Sequence, residues 1–234
     1  MGNVSRRRPT PGSVPELHAG DRMSRAEFHR IYSLIPEDFK AELIGGVVHV
    51  PSPLRRTHGT RHSLLDTIMG VYVGGTPGIE LANNATILLG DGGEPQPDLV
   101  LRILPEFGGQ SQTTGDEYIQ GPPELVAEIA HSSAAIDLYS KREDYARYGV
   151  IEYIVFCLQE QEVRWIDLRD GREFHPDANG IIKVRSFPGL WIDSRAVLAN
   201  DYARAISAVQ AGLTTPEHAA FVERLSAKRA SPSS

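Results

Sequence analysis

The chain has 234 residues, 41% of them hydrophobic and 23% charged, with a net charge of −6. That length and balance suit one sizeable core, and no stretch approaches the roughly 18 consecutive apolar residues of a membrane span. The acidic balance excludes a surface that is basic throughout, as a protein coated by nucleic acid would need, but not a local basic groove.

Residues 1–20 are rich in Pro, Gly, Ser and Arg and have little to bury, so a disordered tail is expected there. Their three arginines precede no apolar segment of the kind a secretory signal carries, and a cytoplasmic location is expected. Ser24 followed by Glu27 is a capping box, opening a short helix that runs to about Ile35, where Pro36 ends it. Residues 41–50 read as two short strands around Gly45-Gly46, a hairpin signal.

From Thr57 to Val73 the apolar residues fall at 64, 65, 68, 69 and 72, the spacing of an amphipathic helix. Arg55, Arg56, His58, Arg61 and His62 cluster at its start, either as a basic groove or as a solvated loop and helix end. Ile79 to Leu89 is a strand candidate. The turn Gly90-Asp-Gly-Gly93 then leads to a strand that Asp98 opens. Residues 104–121 read as a long loop with one helical turn, and loops of that length are often functional.

Glu124 to Ala130 is the next strand, and a helix follows from about Ala134 to Tyr148, closed by Gly149. Further strands are expected at 152–158 and 162–168, with a weaker pair near 172–174 and 181–184. Residues 194–227 look helical in two pieces, split near 212–216. The sum is an α/β (α+β) domain: a mixed β-sheet flanked by helices. It spans 21–193, between the tail of 1–20 and a C-terminal helical extension and tail over 194–234. No nucleotide-binding glycine motif occurs, and the lone Cys157 excludes an internal disulfide and reads as a core residue.

Two carboxylates stand out. Asp98 sits at the mouth of an apolar strand, and Glu128 lies inside another, on the face it shares with Val126 and Ala130. A buried ionised carboxylate costs several kcal/mol unless a donor or cation compensates. Lys141 lies on a helix that can fold back over the sheet toward both acids, with Tyr145 and Tyr148 at i+4 and i+7 on its side. Each residue also has an ordinary reading: Asp98 capping its own turn, Glu128 paired with an arginine, Lys141 paired with Asp137 one turn away. Together they are what a hard dication and a phosphodiester need, namely oxygen ligands and an ammonium.

The order Glu42-Leu-Ile-Gly-Gly-Val, Pro51-Ser-Pro with His58, Pro97-Asp98, Glu128, Ser132-Ser133, Lys141, the stretch 145–156 and Phe187-Pro-Gly-Leu-Trp191 resembles the Uma-type (DUF820) family of restriction endonucleases. That family is a branch of the PD-(D/E)XK nuclease superfamily, and the resemblance runs from Phe28 to Ile192. It implies a restriction-endonuclease-like single domain that cuts DNA with Mg²⁺, for which Mn²⁺ would substitute. RNA stays open as the polymer, and no membrane is involved.

By the same resemblance, Asp98, Glu128 and the Ile129 carbonyl would hold metal. Lys141 would orient water and hold transition-state charge, with Glu42 as an accessory acid. His58, Arg55, Arg56 and Tyr145 would meet substrate. The superfamily pattern would place a lysine at position 130, where this chain has Ala130, so Lys141 must substitute. The alternative is a non-catalytic nucleic-acid-binding or assembly module that keeps the fold. Trp165, Trp191 and the apolar C-terminal strands would serve a homodimer interface or the core equally well.

Overall fold

A computed structural model describes residues 16–36, 38–53, 55–130 and 136–230. Ser24 accepts from the Glu27 N–H at 3.3 Å and caps helix α1 (Arg25–Tyr32). The helix stops four residues before Pro36, its last carbonyls taken up by the turns at Ser33 to Ile35. Strands β1 (Glu42–Ile44) and β2 (Val47–His49) pair with Ile44 opposite Val47. Gly45 and Gly46, at φ of +58° and +73°, form the two-residue loop, and a turn positive at both positions matches the strand twist.

Helix α2 (Arg56–Gly74) follows, burying Leu64, Leu65, Ile68, Met69 and Tyr72 as the spacing requires. The strand expected over 79–89 is interrupted at Asn84, whose φ is +50°, giving β3 (Ile79–Asn83) and β4 (Ile87–Leu88). Then come β5 (Leu99–Ile103), a 3₁₀ turn (Pro105–Phe107), β6 (Gln112–Thr113), β7 (Ile119–Gln120) and β8 (Leu125–Ala130). The long polar loop therefore holds two strands that join β4 in a small sheet ordered β4-β7-β6, β7 pairing with both neighbours.

Residues 131–135, including the Ser132-Ser133 pair, lie outside the described residues, as do residues 1–15 of the expected tail. Residues 16–20, counted with that tail, are instead docked. Leu17 is buried, and the Gly20 N–H reaches the Val48 carbonyl at 2.8 Å.

After residue 135 the expected single helix has two parts, a π-helical turn (Ile136–Lys141) and α3 (Arg142–Tyr148), closed by Gly149 at φ +95°. Strands β9 (Glu152–Cys157), β10 (Glu162–Asp167), β11 (Arg172–Phe174), β12 (Ile181–Lys183) and β13 (Trp191–Asp193) complete the β-structure. The C-terminal segment forms three helices rather than two: α4 (Ser194–Ala199), α5 (Tyr202–Leu213) and α6 (Pro216–Ala230). Asn200, left-handed at φ +63°, ends α4, and Asp201 caps α5 through the Arg204 N–H.

The main sheet is mixed, ordered β11-β10-β9-β8-β5-β3, with β8 and β9 parallel and the other neighbours antiparallel. Central strands β8 and β9 are buried along their whole length. One face carries Leu125, Ala127 and Ile129 into a core shared with α2, α5 and α6, to which Val209, Phe221 and Leu225 belong. The extension past residue 194 is thus built into that core. Val126 and Ala130 point the other way, into a second core with Tyr145 and Tyr153. Glu128 lies on this second face, beneath the 136–148 segment. A third cluster, Leu17, Phe28, Ile31, Ala41, Leu43 and Val48, holds α1 and the first hairpin together. Burying each large apolar side chain contributes about 1.5–3 kcal/mol.

Candidate active site

The site forms where two neighbouring strands part. The β5–β8 ladder pairs Leu101 with Leu125, Val100 with Val126 and Leu99 with Ala127, then stops. Continued one step, it would set Asp98 against Glu128. There, side chains replace the missing main-chain bonds: the Asp98 N–H donates to Glu128 Oε2 at 3.2 Å, and the Ile129 N–H donates to Asp98 Oδ2 at 2.8 Å. The two acids are coupled through the backbone that presents them.

Lys141 ends the π-helical turn. Its Nζ donates to Glu128 Oε1 at 2.8 Å, pairs with Glu42 Oε1 at 3.0 Å and lies 3.7 Å from Asp137 Oδ1. The ordinary partner Asp137 and the chemically interesting partner Glu128 are therefore met at once. A π turn carries about one residue more per turn than an α-helix, which changes which side chains face the sheet; such turns recur at functional sites. Glu42 arrives from β1 and also accepts the Gln96 N–H at 2.7 Å.

Helix α2 supplies the last wall. His58 Nε2 lies 3.2 Å from Asp98 Oδ2, and His62 Nε2 lies 2.9 Å from the Asp98 carbonyl. Carboxylate and carbonyl oxygens only accept, so both histidines carry a proton on Nε2.

Burial opposes ionisation of Asp98, but the His58 hydrogen bond and charge, the Ile129 N–H and Lys141 outweigh it and hold the carboxyl below its usual range. Burial also lowers Lys141, yet Glu128, Glu42 and Asp137 more than reverse this, and the ammonium stays charged. Glu128 is pushed well up, by burial and then by Asp98, Asp137 and Glu42, with Lys141 opposing. Four carboxyl groups share one ammonium and one imidazole, so acidic side chains outnumber basic ones in the cluster.

The other expected site residues fall into three groups. Tyr145 is wholly buried, and its hydroxyl donates to Glu128 Oε1 at 3.3 Å, so it supports that carboxylate instead of meeting substrate. His58, also expected at the phosphate, is buried against Asp98. Arg55 and Arg56 are exposed at the start of α2, two residues and more from His58. Trp165 is a core residue whose Nε1 donates to Glu152 at 2.6 Å. Gln96, which holds Glu42 through its main-chain N–H, is a functional position that its own residue type does not signal. Its two flanking prolines were the available signal.

No three His, Cys, Asp or Glu side chains among the described residues converge as a ready-made metal site. A cation here would take two carboxylates, with main-chain and solvent oxygens completing its shell, and Mg²⁺ is commonly bound in that way. The donor set, oxygen throughout, suits a hard cation.

A mixed sheet with acids from two parting strands and a lysine laid over them defines a restriction-endonuclease-like fold. Residues 25–197 match the Uma2 family model, described as "putative restriction endonuclease", and the chain belongs to that family. Among solved structures it is similar to a "putative nuclease belonging to DUF820" from Anabaena variabilis ATCC 29413. The two share 16% identity and a TM-score of 0.61 over 75% of this chain and 99% of that one, a likeness of fold. No curated protein matches the chain. No helix among the described residues is long and apolar enough to cross a membrane.

Proposed function

We propose that this protein is a Mg²⁺-dependent endonuclease that hydrolyses phosphodiester bonds in DNA, with water as the nucleophile. The observation that carries the reading is the meeting of Asp98, Glu128 and Lys141 where β5 and β8 part, within a buried cluster whose carboxylates outnumber its cations. Buried acids in excess of basic partners give a further cation groups to bind, and an ammonium beside them suits the charge that develops on a phosphate.

Asp98, Glu128 and the Ile129 carbonyl would hold the cation. When bound, Mg²⁺ neutralises phosphate charge and lowers the pKa of water. Lys141, braced by Glu128 and Glu42, holds the negative charge that grows on the phosphate oxygens and orients the attacking water. His58 steadies Asp98, and Tyr145 steadies Glu128. Arg55 and Arg56 give the polyanion a cationic approach. They stand on an α2 start that has no acidic residue in its first turn and no side-chain cap, so the helix dipole adds to them.

Supercoiled plasmid incubated with the protein and Mg²⁺ should be nicked or linearised, and EDTA should stop the reaction. Asp98→Asn and Lys141→Met should each lower the rate by on the order of 10²-fold or more. DNA bound but never cut under any divalent cation would establish the non-catalytic module instead. Faster cleavage of an RNA of the same sequence would move the substrate class.

A further inference from the structure

We infer that Gln96 and Tyr32 are positioning residues that set the Glu42 carboxylate against Lys141, an inference that draws on the nuclease reading for its consequence in rate. The stretch from Glu94 to Asp98 is Glu-Pro-Gln-Pro-Asp. Pro95 and Pro97 have no N–H and fix their own φ, and each also restricts the residue before it. From 95 to 98, the main-chain donors are therefore those of Gln96 and Asp98.

Neither donor is spent on a strand. The Gln96 N–H goes to Glu42 Oε1 at 2.7 Å, and the Asp98 N–H goes to Glu128 Oε2 at 3.2 Å. These are the two acids that Lys141 joins, at 3.0 and 2.8 Å. The stiff segment thus offers one N–H to each acid that braces the lysine.

What remains free in the segment is the rotation of Gln96, and Tyr32 removes it. The Gln96 side-chain amide donates to the Tyr32 hydroxyl at 3.1 Å. That hydroxyl also accepts from the Ala41 N–H at 3.4 Å and donates to the Phe39 carbonyl at 3.2 Å. Ala41 directly precedes Glu42. One hydroxyl therefore ties the Asp98 approach to the strand that carries Glu42, and its ring is held by stacking on buried Phe28 at 5.2 Å. Neither Gln96 nor Tyr32 is bonded to the Lys141, Asp98 or Glu128 side chains; of the acids around Lys141, the one Gln96 itself touches is Glu42.

The test is carboxyl footprinting with a carbodiimide and glycinamide, read by mass spectrometry on the full chain, for wild type, Gln96→Ala and Tyr32→Phe. The Phe variant keeps the stacking ring. Glu42, whose side chain is 13% accessible, should label roughly threefold faster or more in both variants, while Glu80, at 40%, stays unchanged.

In plasmid cleavage, each variant should lower kcat about tenfold with KM little altered, and Gln96→Ala should add nothing in a Glu42→Gln background. Unchanged Glu42 labelling overturns the inference. So does a rise spread equally over Glu80, or an undiminished loss of kcat in the Glu42→Gln background. A wild type that cuts no nucleic acid refutes the nuclease reading while the footprint still decides the placement of Glu42.

Discussion

At the scale of single residues, what distinguishes the site is how a buried carboxylate is satisfied. Glu124 and Glu152 are as buried as Glu128, but the Ile103 and Gln110 N–H groups take up Glu124, and Trp165, Arg185 and Ser186 donors take up Glu152. Glu128 receives, besides the Asp98 N–H, an ammonium and a phenol. All three sit at or within apolar strands in the sequence, so periodicity alone could not separate them. Only the helical lysine thirteen positions on did so. Lys141→Met should leave Glu128 and Glu42 without the ammonium that joins them, costing about 3–5 kcal/mol in urea unfolding. Adding Glu128→Gln to that variant should return part of the loss.

Glu94 offers a signed test of the same physics. It is buried, and its carboxyl is raised above the ordinary 4.5 by burial, against the opposing His29 hydrogen bond and the charges of His29 and Arg25. The folded state then binds this proton more readily than the unfolded chain, and stability falls as pH rises from 4.5 through the raised value. Below that window the group is protonated in both states. Glu94→Gln, which keeps an acceptor for His29, should therefore raise the melting temperature at pH above neutrality. Its advantage should shrink to nothing as the pH falls below Glu94's ordinary range.

At the scale of elements, the helix and hairpin nearest the site followed their local signals. The Ser24 cap, the Gly45-Gly46 turn and the α2 apolar stripe all stand as their residues require. Two features were not legible for a physical reason. A π turn differs from an α-helix by one residue of winding, which hydrophobic spacing does not register over six positions. The two-residue strands β4, β6 and β7 are shorter than any alternating pattern can reveal.

Helix α3 continues from Lys141, and its far end rests on the glycine turn before Asp98. A Cβ at Gly90, where φ is +51°, would stand 2.2 Å from the Tyr148 ring. Gly90→Ala should cost about 1–3 kcal/mol by thermal or urea unfolding. It should also slow cleavage, because Tyr148 leads back through α3 to Lys141.

At the scale of the molecule, the sequence supports a mixed sheet flanked by helices in one domain, which is what the chain builds. The course of the C-terminal helices was less visible, since a single left-handed Asn200 divides what composition presents as one helix. The approach of Glu42 to Lys141 could not be read from spacing either, because it joins elements 99 positions apart. A net charge of −6 and an acidic cluster at the end of β5 leave cation binding as the property on which everything else depends. Calorimetric titration of Mn²⁺ into the full chain measures it most directly. Binding that is saturable in wild type, lost in Asp98→Asn and in Glu128→Gln, and kept in Glu80→Gln is the predicted result. No binding to the wild type, or binding that both site variants leave intact, would contradict the assignment of this cluster as a metal and phosphate site.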